Sequence, residues 1–373
     1  MCIPPRISII TAAYNSEKYI EQTIQSVLHQ TYPDIEYIVV DGLSTDGTMD
    51  IVRKYRNRID KVISEKDSGI YDAFNKGIKA ATGDVIYFLN SDDYLCHPDV
   101  IGMVARIFAD NGQDTMIVYG DIMQWNEYTG VIQRIRSRAD LQLLQSGVMP
   151  SHPGLFIKKT LFEKYGYFDL NYSIASDFDF VVKVLKDNIS HSVRIDEPIA
   201  VFRIGGASTQ LLKMKQVRQE TISIIERHFH ESKLKPFTQE EYNSFFYKKW
   251  LEIVLYQKLP ASTSLYNIGI RNVAVFGSLE TAAYACQDLR SGGINVLAYL
   301  DNNPERHGLE FDGVPVTSPK WLSEHAQEID AVLLAIGGDY DAEVIGQITS
   351  LTAPEPVRCI SWREMIAWNF GES

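Results

Sequence analysis

Short apolar runs alternate with helical spacings along the first ninety residues. Residues 7–13 (ISIITAA) are apolar or β-branched throughout, which predicts a strand buried on both faces. Helical spacing follows from Glu17 to Gln30, with Ser16 placed to cap it. Residues 35–40 (IEYIVV) predict a second strand, 46–56 a helix, 60–64 a weaker strand, 70–81 a helix and 84–89 (DVIYFL) another strand. Such alternation implies an α/β fold, a mostly parallel sheet with helices on both faces. In these sheets ligands lie beyond the carboxyl ends of the strands. The polar clusters at 14–15, 41–46 and 90–93 all follow strands and are expected to share one crevice.

After about residue 115 the pattern changes. Strands separated by a turn are predicted at 116–125 and 130–136, and the mixed pattern of 140–203 stays with the same domain. Residues 207–260 are mainly helical in spacing, and 261–270 form a linker. A second alternating unit starts at Asn272, with NVAVFG, a helix near 279–291, NVLAYLD and AVLLAIG. The expected division is a catalytic or binding domain over 1–209, a helical extension and linker over 210–270, and a small Rossmann-like domain over 271–373.

Composition narrows the function. The 373 residues, 45% hydrophobic and 23% charged, suffice for two cores and exclude a disordered chain. A net charge of -12 disfavours nucleic acid, which needs clustered Lys and Arg. Cys2, Cys96, Cys286 and Cys359 lack C-x-x-C spacing, which fits neither a zinc site nor a disulfide scaffold. No apolar window reaches membrane-spanning length and no leader pattern is present, so a cytoplasmic location is expected, with peripheral contact at the inner face of the membrane left open.

Three acidic clusters carry the candidate chemistry. Asp41-Gly42-Leu43-Ser44-Thr45-Asp46 offers carboxylates to a base or ribose, or is simply a turn. In Asn90-Ser91-Asp92-Asp93 two adjacent carboxylates repel unless a hard cation such as Mg²⁺ or Mn²⁺ is present; helix capping is the alternative. Ser176-Asp177-Phe178-Asp179 precedes a helical run, where a helix N-terminus favours a charged carboxylate able to act as a base; capping again competes. His152 is by itself a structural histidine. Arg203, before Gly205 and Gly206, is suited either to a diphosphate or to a simple loop.

Together these residues resemble the family 2 glycosyltransferases, which have the GT-A fold. The resemblance runs from Ile7 to about Thr209. It is carried by Thr11-Ala12-Ala13-Tyr14-Asn15, Asp41-Gly42-x-Ser44-x-Asp46-Gly47-Thr48, Glu65-Lys66-Asp67 with Gly69-Ile70-Tyr71-Asp72-Ala73-x-Asn75-Lys76-Gly77, Asn90-Ser91-Asp92-Asp93 and Ser176-Asp177-x-Asp179. With Ser151-His152-Pro153 and Gly205-Gly206-x-Ser208-Thr209, the match is closest to the branch that assembles bacterial exopolysaccharide, colanic acid and O-antigen.

The resemblance implies roles for these positions. Thr11, Ala13, Tyr14, Asn15, Asp41, Ser44, Asp46 and Asn75 would bind the nucleotide, with Lys66, Asp67 and Arg203 near its phosphates or sugar. Asp92 would meet the ribose or a metal, Asp93 would ligate Mg²⁺ or Mn²⁺, and Asp177 would be the general base; His152 and Asp179 would lie toward the acceptor or phosphate. Asn90 departs from the Asp of many relatives. The implied reaction is inverting transfer from a nucleotide-sugar, UDP-linked by default with GDP or dTDP open, to a hydroxyl of a glycan or lipid-linked glycan. A non-catalytic nucleotide-sugar-binding or scaffold protein is the alternative.

The C-terminal unit resembles the N-terminal domain of sugar acyltransferases, through Val273-Ala274-Val275-Phe276-Gly277 and Tyr299-Leu300-Asp301-Asn302-Asn303-Pro304. Ser278-Leu279-Glu280 replaces the further glycines of a phosphate loop, which disfavours an NAD-dependent oxidoreductase and makes docking or homo-oligomerisation the expected role, with Asp301 a candidate for a ribose. Lys213, Lys215, Arg218, Lys248 and Lys249 among aromatics suit either an anionic membrane or a solvated helical pair; the second is favoured.

Overall fold

The computed structural model describes residues 3–204 and 210–371. Contacts divide the chain into two compact units: Met1–Ser208 with Gln216–Pro236, and Thr209–Lys215 with Phe237–Ser373. The segment expected as a helical extension thus divides between them, with Gln216–Pro236 in the first unit, whose core takes Ile224 and Ile225.

The first unit begins with β1 (Ile7–Ala13), α1 (Ile20–Leu28), β2 (Ile35–Asp41), α2 (Thr48–Lys54), β3 (Lys61–Ser64), α3 (Ile70–Ala80) and β4 (Val85–Phe88). It continues with β5 (Tyr94–Leu95), α4 (Val100–Asp110), β6 (Ile117–Asn126), β7 (Val131–Ile135), α5 (Leu141–Gln145), β8 (Leu155–Lys158), α6 (Lys159–Tyr165), α7 (Ser176–Asn188), β9 (Ser192–Arg203) and α8 (Met214–Phe229). One mixed sheet runs β3-β2-β1-β4-β8-β6-β9-β5, with β7 beside β6. The half from β3 to β4 is parallel; β8 is antiparallel to both β4 and β6.

The apolar runs are buried on both faces, as side chains two apart must share a face. Ile7 and Ile9 of β1, Tyr37 and Val39 of β2, and Val85 and Tyr87 of β4 pack beneath α1 and α4. Their neighbours Ile10, Ile38, Val40, Ile86 and Phe88 pack on the other face, with α3, α6 and α7.

One charged group is built into this sheet. Glu36 on β2 is buried, and its carboxylate accepts hydrogen bonds from Ser8 Oγ (2.5 Å), Lys61 Nζ (2.7 Å), Thr82 N (2.7 Å) and Thr82 Oγ1 (2.9 Å). It therefore ties together β1, β2, β3 and the chain leaving α3. Burial pushes its pKa up, but these donors, Lys61 foremost, outweigh it and hold the carboxyl at about 2 against an ordinary 4.5.

In the second unit are α9 (Gln239–Glu252), a π-helical turn (Ile253–Gln257), α10 (Thr263–Asn267), β10 (Asn272–Phe276), α11 (Glu280–Ser291), β11 (Asn295–Leu300), β12 (Glu310–Phe311), β13 (Val314–Thr317), α12 (Leu322–His325), β14 (Ala331–Leu334), α13 (Asp341–Leu351), β15 (Arg358–Ser361) and α14 (Trp362–Trp368). Its sheet order is β12-β13-β11-β10-β14-β15, parallel except for β12. Asp301, expected as a ribose ligand, accepts from Ser278 Oγ, Arg306 (3.0 Å) and Asn303 N (2.8 Å). Its acceptors are thus spent inside the unit.

The depressed Glu36 pKa gives a signed expectation. Its stabilisation is fully present above pH 4.5 and disappears as pH falls toward 2. Glu36→Gln is expected to lose about 2 kcal/mol of stability at pH 7, and the gap to wild type should close on acidification through that window in urea titrations. A constant gap would contradict this.

Candidate active site

Within the parallel half, β1 has β2 and β3 on one side and β4 on the other. The sheet therefore reverses its winding between β1 and β4, which opens a crevice at their carboxyl ends. The loops that rim it are bonded to one another. Asn15, at a left-handed φ of 48°, accepts from Thr45 N (2.8 Å) and donates its own N–H to Ser44 Oγ (2.9 Å). Glu17 accepts from Gly47 N (2.6 Å), while Asp46 accepts from Glu17 N (3.1 Å) and Thr48 N (3.0 Å). Across the crevice, the Ser16 and Ser91 hydroxyls meet at 2.8 Å, and Thr23 Oγ1 donates to the Asp93 carbonyl (2.6 Å). Ser16 is therefore a tie between loops and not the expected cap; α1 starts later, after Tyr19, without a side-chain cap.

Most of the first and second clusters come together here. The Ala13 carbonyl accepts from Gly42 N (2.9 Å), and Tyr14 is exposed beside it. Asp41 is buried and accepts from Ser44 Oγ (2.5 Å) and Ser64 Oγ (2.7 Å). Asp67 lies over Gly42, where a Cβ would stand 2.5 Å from its Oδ2, so a side chain at 42 would push the Asp67 carboxylate aside. Lys66 is exposed, its carbonyl held by Lys76 Nζ (2.7 Å). Two expected nucleotide ligands lie elsewhere. Thr11 is fully buried, accepting from Tyr37 Oη (3.3 Å), and Asn75 pairs both ends of its amide with the Phe168 backbone (2.9 and 3.0 Å). Each is a packing residue because the sheet or α3 buries it.

The segment 90–93 does not cap a helix: β5 follows at once, and α4 begins only after Asp99. Asp93 is fully buried, Oδ1 accepting from Arg203 N (3.0 Å) and Oδ2 from Asn90 Nδ2 (3.1 Å). Burial first, then the adjacent Asp92 charge, push its carboxyl well above the ordinary range. Both Asp93 oxygens thus accept from the protein itself, and the metal-ligand role expected of Asp93 would have a cation take the place of the Asn90 amide. Asp92 is half-buried, its carboxyl also raised by burial, and among the described residues no other residue donates to its carboxylate. Asn90 Oδ1 is buried without a hydrogen-bond partner. Among the described residues no three His, Cys, Asp or Glu side chains group as a ligand set. The acceptors that fit a hard cation are therefore the Asp92 carboxylate and Asn90 Oδ1, both oxygen donors.

Arg203 holds this segment from the far end of β9. It is 6% exposed, with its guanidinium 4.5 Å from the Tyr19 ring centre and 4.4 Å from that of Trp125. It donates to the Asp92 carbonyl (2.8 Å), Gln22 Oε1 (2.5 Å) and Glu127 (3.4 Å). An arginine so enclosed positions the loop and has no free fork for a diphosphate. Gly205, Gly206, Ser208 and Thr209, matched above to the family, lie outside the described residues.

Asp177 opens α7, whose N-cap residue is Ala175, so neither Ser176 nor Asp177 caps it. Asp177 Oδ1 accepts from Phe178 N (2.9 Å) and lies 2.8 Å from Tyr71 Oη, whose one proton it shares with the Ile174 carbonyl (2.6 Å). Glu220 of α8 accepts the approaching N–H groups of Ile174 and Ala175 (both 3.0 Å) and so fixes the entry to the helix. His152 stacks on Phe88 at the end of β4 (5.4 Å, 19°). Burial lowers its pKa against the pull of Asp177, so its ring is neutral. Asp179 faces the other way, fully buried and bonded to His228 Nε2 (2.7 Å) and Lys183. Burial raises its pKa, but these partners outweigh it, leaving a structural ion pair and not an acceptor contact. Tyr71, Glu127 and Glu220 were not singled out from the sequence; Tyr71 lies inside a recognised motif, while the other two carry no local signal.

A crevice at the winding reversal of a mixed sheet, rimmed by acidic strand-end loops, is the place where such α/β sheets bind a ligand. Residues 8–166 match the family model described as Glycosyl transferase family 2. The chain is 30% identical over 182 residues to a PGL/p-HBAD biosynthesis glycosyltransferase of Mycobacterium tuberculosis, covering 48% of this chain and 69% of that one. It is 47% identical over 92 residues to TuaG of Bacillus subtilis, described as a teichuronic acid biosynthesis glycosyltransferase, covering 24% of this chain and 36% of the relative. Among solved structures, S. aureus TarS in complex with UDP-GlcNAc aligns with TM-score 0.47 and 20% identity over 77% of this chain and 89% of that one. The chain belongs to glycosyl transferase family 2, and it is a glycosyltransferase with a GT-A domain followed by a smaller α/β unit.

The placement of Arg203 makes a distinguishing prediction. Arg203→Ala should lower stability by about 1–3 kcal/mol, because the Asp92 carbonyl and Gln22 lose a buried donor. Unchanged stability in urea titration, with lost nucleoside diphosphate binding, would instead restore a phosphate-binding role.

Proposed function

We propose that this glycosyltransferase is an inverting, cation-dependent enzyme of surface-polysaccharide assembly. It moves a sugar from a nucleoside-diphosphate donor to a hydroxyl of a glycan or lipid-linked glycan. The observation that carries the mechanism is the asymmetry of Asp177. Tyr71 and the Phe178 N–H occupy Oδ1, and among the described residues no donor reaches Oδ2. The carboxylate is thereby held in one orientation with one oxygen left to accept a proton, as a general base requires.

As the acceptor oxygen attacks the anomeric carbon, its proton passes to Asp177 Oδ2. A new C–O bond forms on one face while the bond to the diphosphate breaks on the other, the electron pair leaving with the phosphate oxygen. Configuration at the carbon inverts. The paired loops at 13–17 and 41–48, with Asp41 and Asp67, would hold the nucleoside and donor sugar. A divalent cation, Mg²⁺ or Mn²⁺, would be held by Asp92 and Asn90 Oδ1, and when bound supplies charge neutralisation to the departing diphosphate. The neutral His152 ring on Phe88 would form an apolar wall beside Asp177. Relatives named for teichuronic acid and PGL/p-HBAD biosynthesis support the assignment to glycan assembly. A UDP-sugar is the donor we favour, with GDP- and dTDP-sugars as the other arms of the test.

Two experiments test this. Asp177→Asn should lose transfer by about 10²–10⁴-fold while nucleoside diphosphate affinity stays within a few-fold by calorimetry; loss of both would make Asp177 structural. Asp92→Asn should abolish the cation-dependent part of nucleoside diphosphate affinity, whereas Asp93→Asn should fold and retain it. Equal loss in both variants, or affinity that ignores EDTA in wild type, would sink the cation assignment.

A further inference from the structure

The second unit carries an apolar face that its own fold leaves uncovered. Leu251, Val254, Leu255, Tyr256 and Leu259, along the end of α9, the π-helical turn and the residues after it, are all exposed, as is Tyr284 on α11. Leu255 and Tyr256 are 63% and 60% exposed. Between α9 and α11 the same face forms an open cavity of about 750 Å³, lined by Trp250, Val254, Leu259, Pro260 and Tyr284 among others. Six large apolar side chains turned outward together are unusual for a water-facing surface and mark a contact site.

The charges around it identify the partner. Around the patch lie Lys248, Lys249 and Lys258 against Glu252, Glu280 and Asp288, in a chain whose net charge is -12, while Glu240 and Glu241 stand at the opposite end of α9. Two of those three acids are turned inward. Glu252 pairs with Lys249 (2.7 Å), and Asp288 accepts from Trp250 Nε1 (2.7 Å), Ala261 N (2.9 Å) and Ser262 N (2.7 Å). The apolar patch thus sits in a locally basic stretch of an acidic protein, with Lys248 and Lys258 exposed. Tyrosines and leucines edged by lysines are the composition of a surface that enters the headgroup layer. No helix among the described residues is long and apolar enough to cross a membrane.

From this geometry we infer that the end of α9 and the turn after it dock the protein on an anionic lipid surface. Leu251, Val254, Leu255, Tyr256 and Leu259 enter the interface, and Lys248 and Lys258 meet the headgroups. This docking is independent of the transfer mechanism above. Of the lysines expected to meet a membrane, Lys215 and Lys249 are bound to Asp339 and Glu252, so the contact lies further along the chain than their clustering suggests.

The test is flotation of the full chain with phosphatidylcholine vesicles, with and without phosphatidylglycerol. Binding is expected only with the anionic lipid, weakening as salt rises. Leu255→Glu with Tyr256→Glu should abolish it. Lys248→Glu with Lys258→Glu changes only exposed positions and should weaken it about ten-fold or more; this pair keeps the test decisive if the apolar variant misfolds. Failure of the wild type to float with anionic vesicles would overturn the inference. So would a dimer, seen by light scattering, that the Leu255/Tyr256 variant splits, because a second copy would then cover this face.

Discussion

The site depends on one buried carboxyl group. Asp93 receives the backbone N–H of Arg203, while the Arg203 guanidinium grips the carbonyl of Asp92. Through this exchange β9, parallel to β6 at the other end of the sheet, holds the loop that follows β4. The guanidinium is enclosed by Tyr19 and Trp125, and the Asp93 carboxyl has no access to water, so each depends on the partners the fold supplies. Breaking such an arrangement leaves a buried polar group unpaired, at a cost of several kcal/mol. The effect is to present Asp92 outward while its neighbour faces the core.

The same division of labour recurs at α7. Asp177 and Asp179 are two positions apart, so a helix cannot place them on one face. One is held by Tyr71 beside the crevice, and the other is sunk against His228 and Lys183. In both acidic pairs one carboxyl group supports the backbone that aims its partner.

The parallel half of the sheet was legible in the sequence because both faces are buried and the strands appear as unbroken apolar runs. β1 spans the predicted residues, β2 and β3 differ from them by one residue at one end, and β4 is one residue shorter at each end. What escaped was structure set by distant partners. β5 is only two residues long and exists through pairing with Val201 and Ala200. Ser16 has the residue type and position of a cap, but a nearby hydroxyl, Ser91, sits across the crevice and takes it. Asn75 and Arg203 belong to the right motifs, yet their partners lie 76 to 181 positions away, where no local pattern points. Composition showed lysines among aromatics near 248 but not which of them were neutralised by a neighbouring acid.

The lacing of the first two loops has a consequence for changing the donor. Asn15, Glu17, Ser44, Asp46 and Gly47 exchange hydrogen bonds in both directions, so each loop is the mould in which the other is cast. Transplanting either loop alone from a homologue would import donors and acceptors without counterparts. The natural unit of exchange is the pair, residues 14–18 together with 43–48, and lineages that changed nucleotide preference through these loops would have had to alter both in concert.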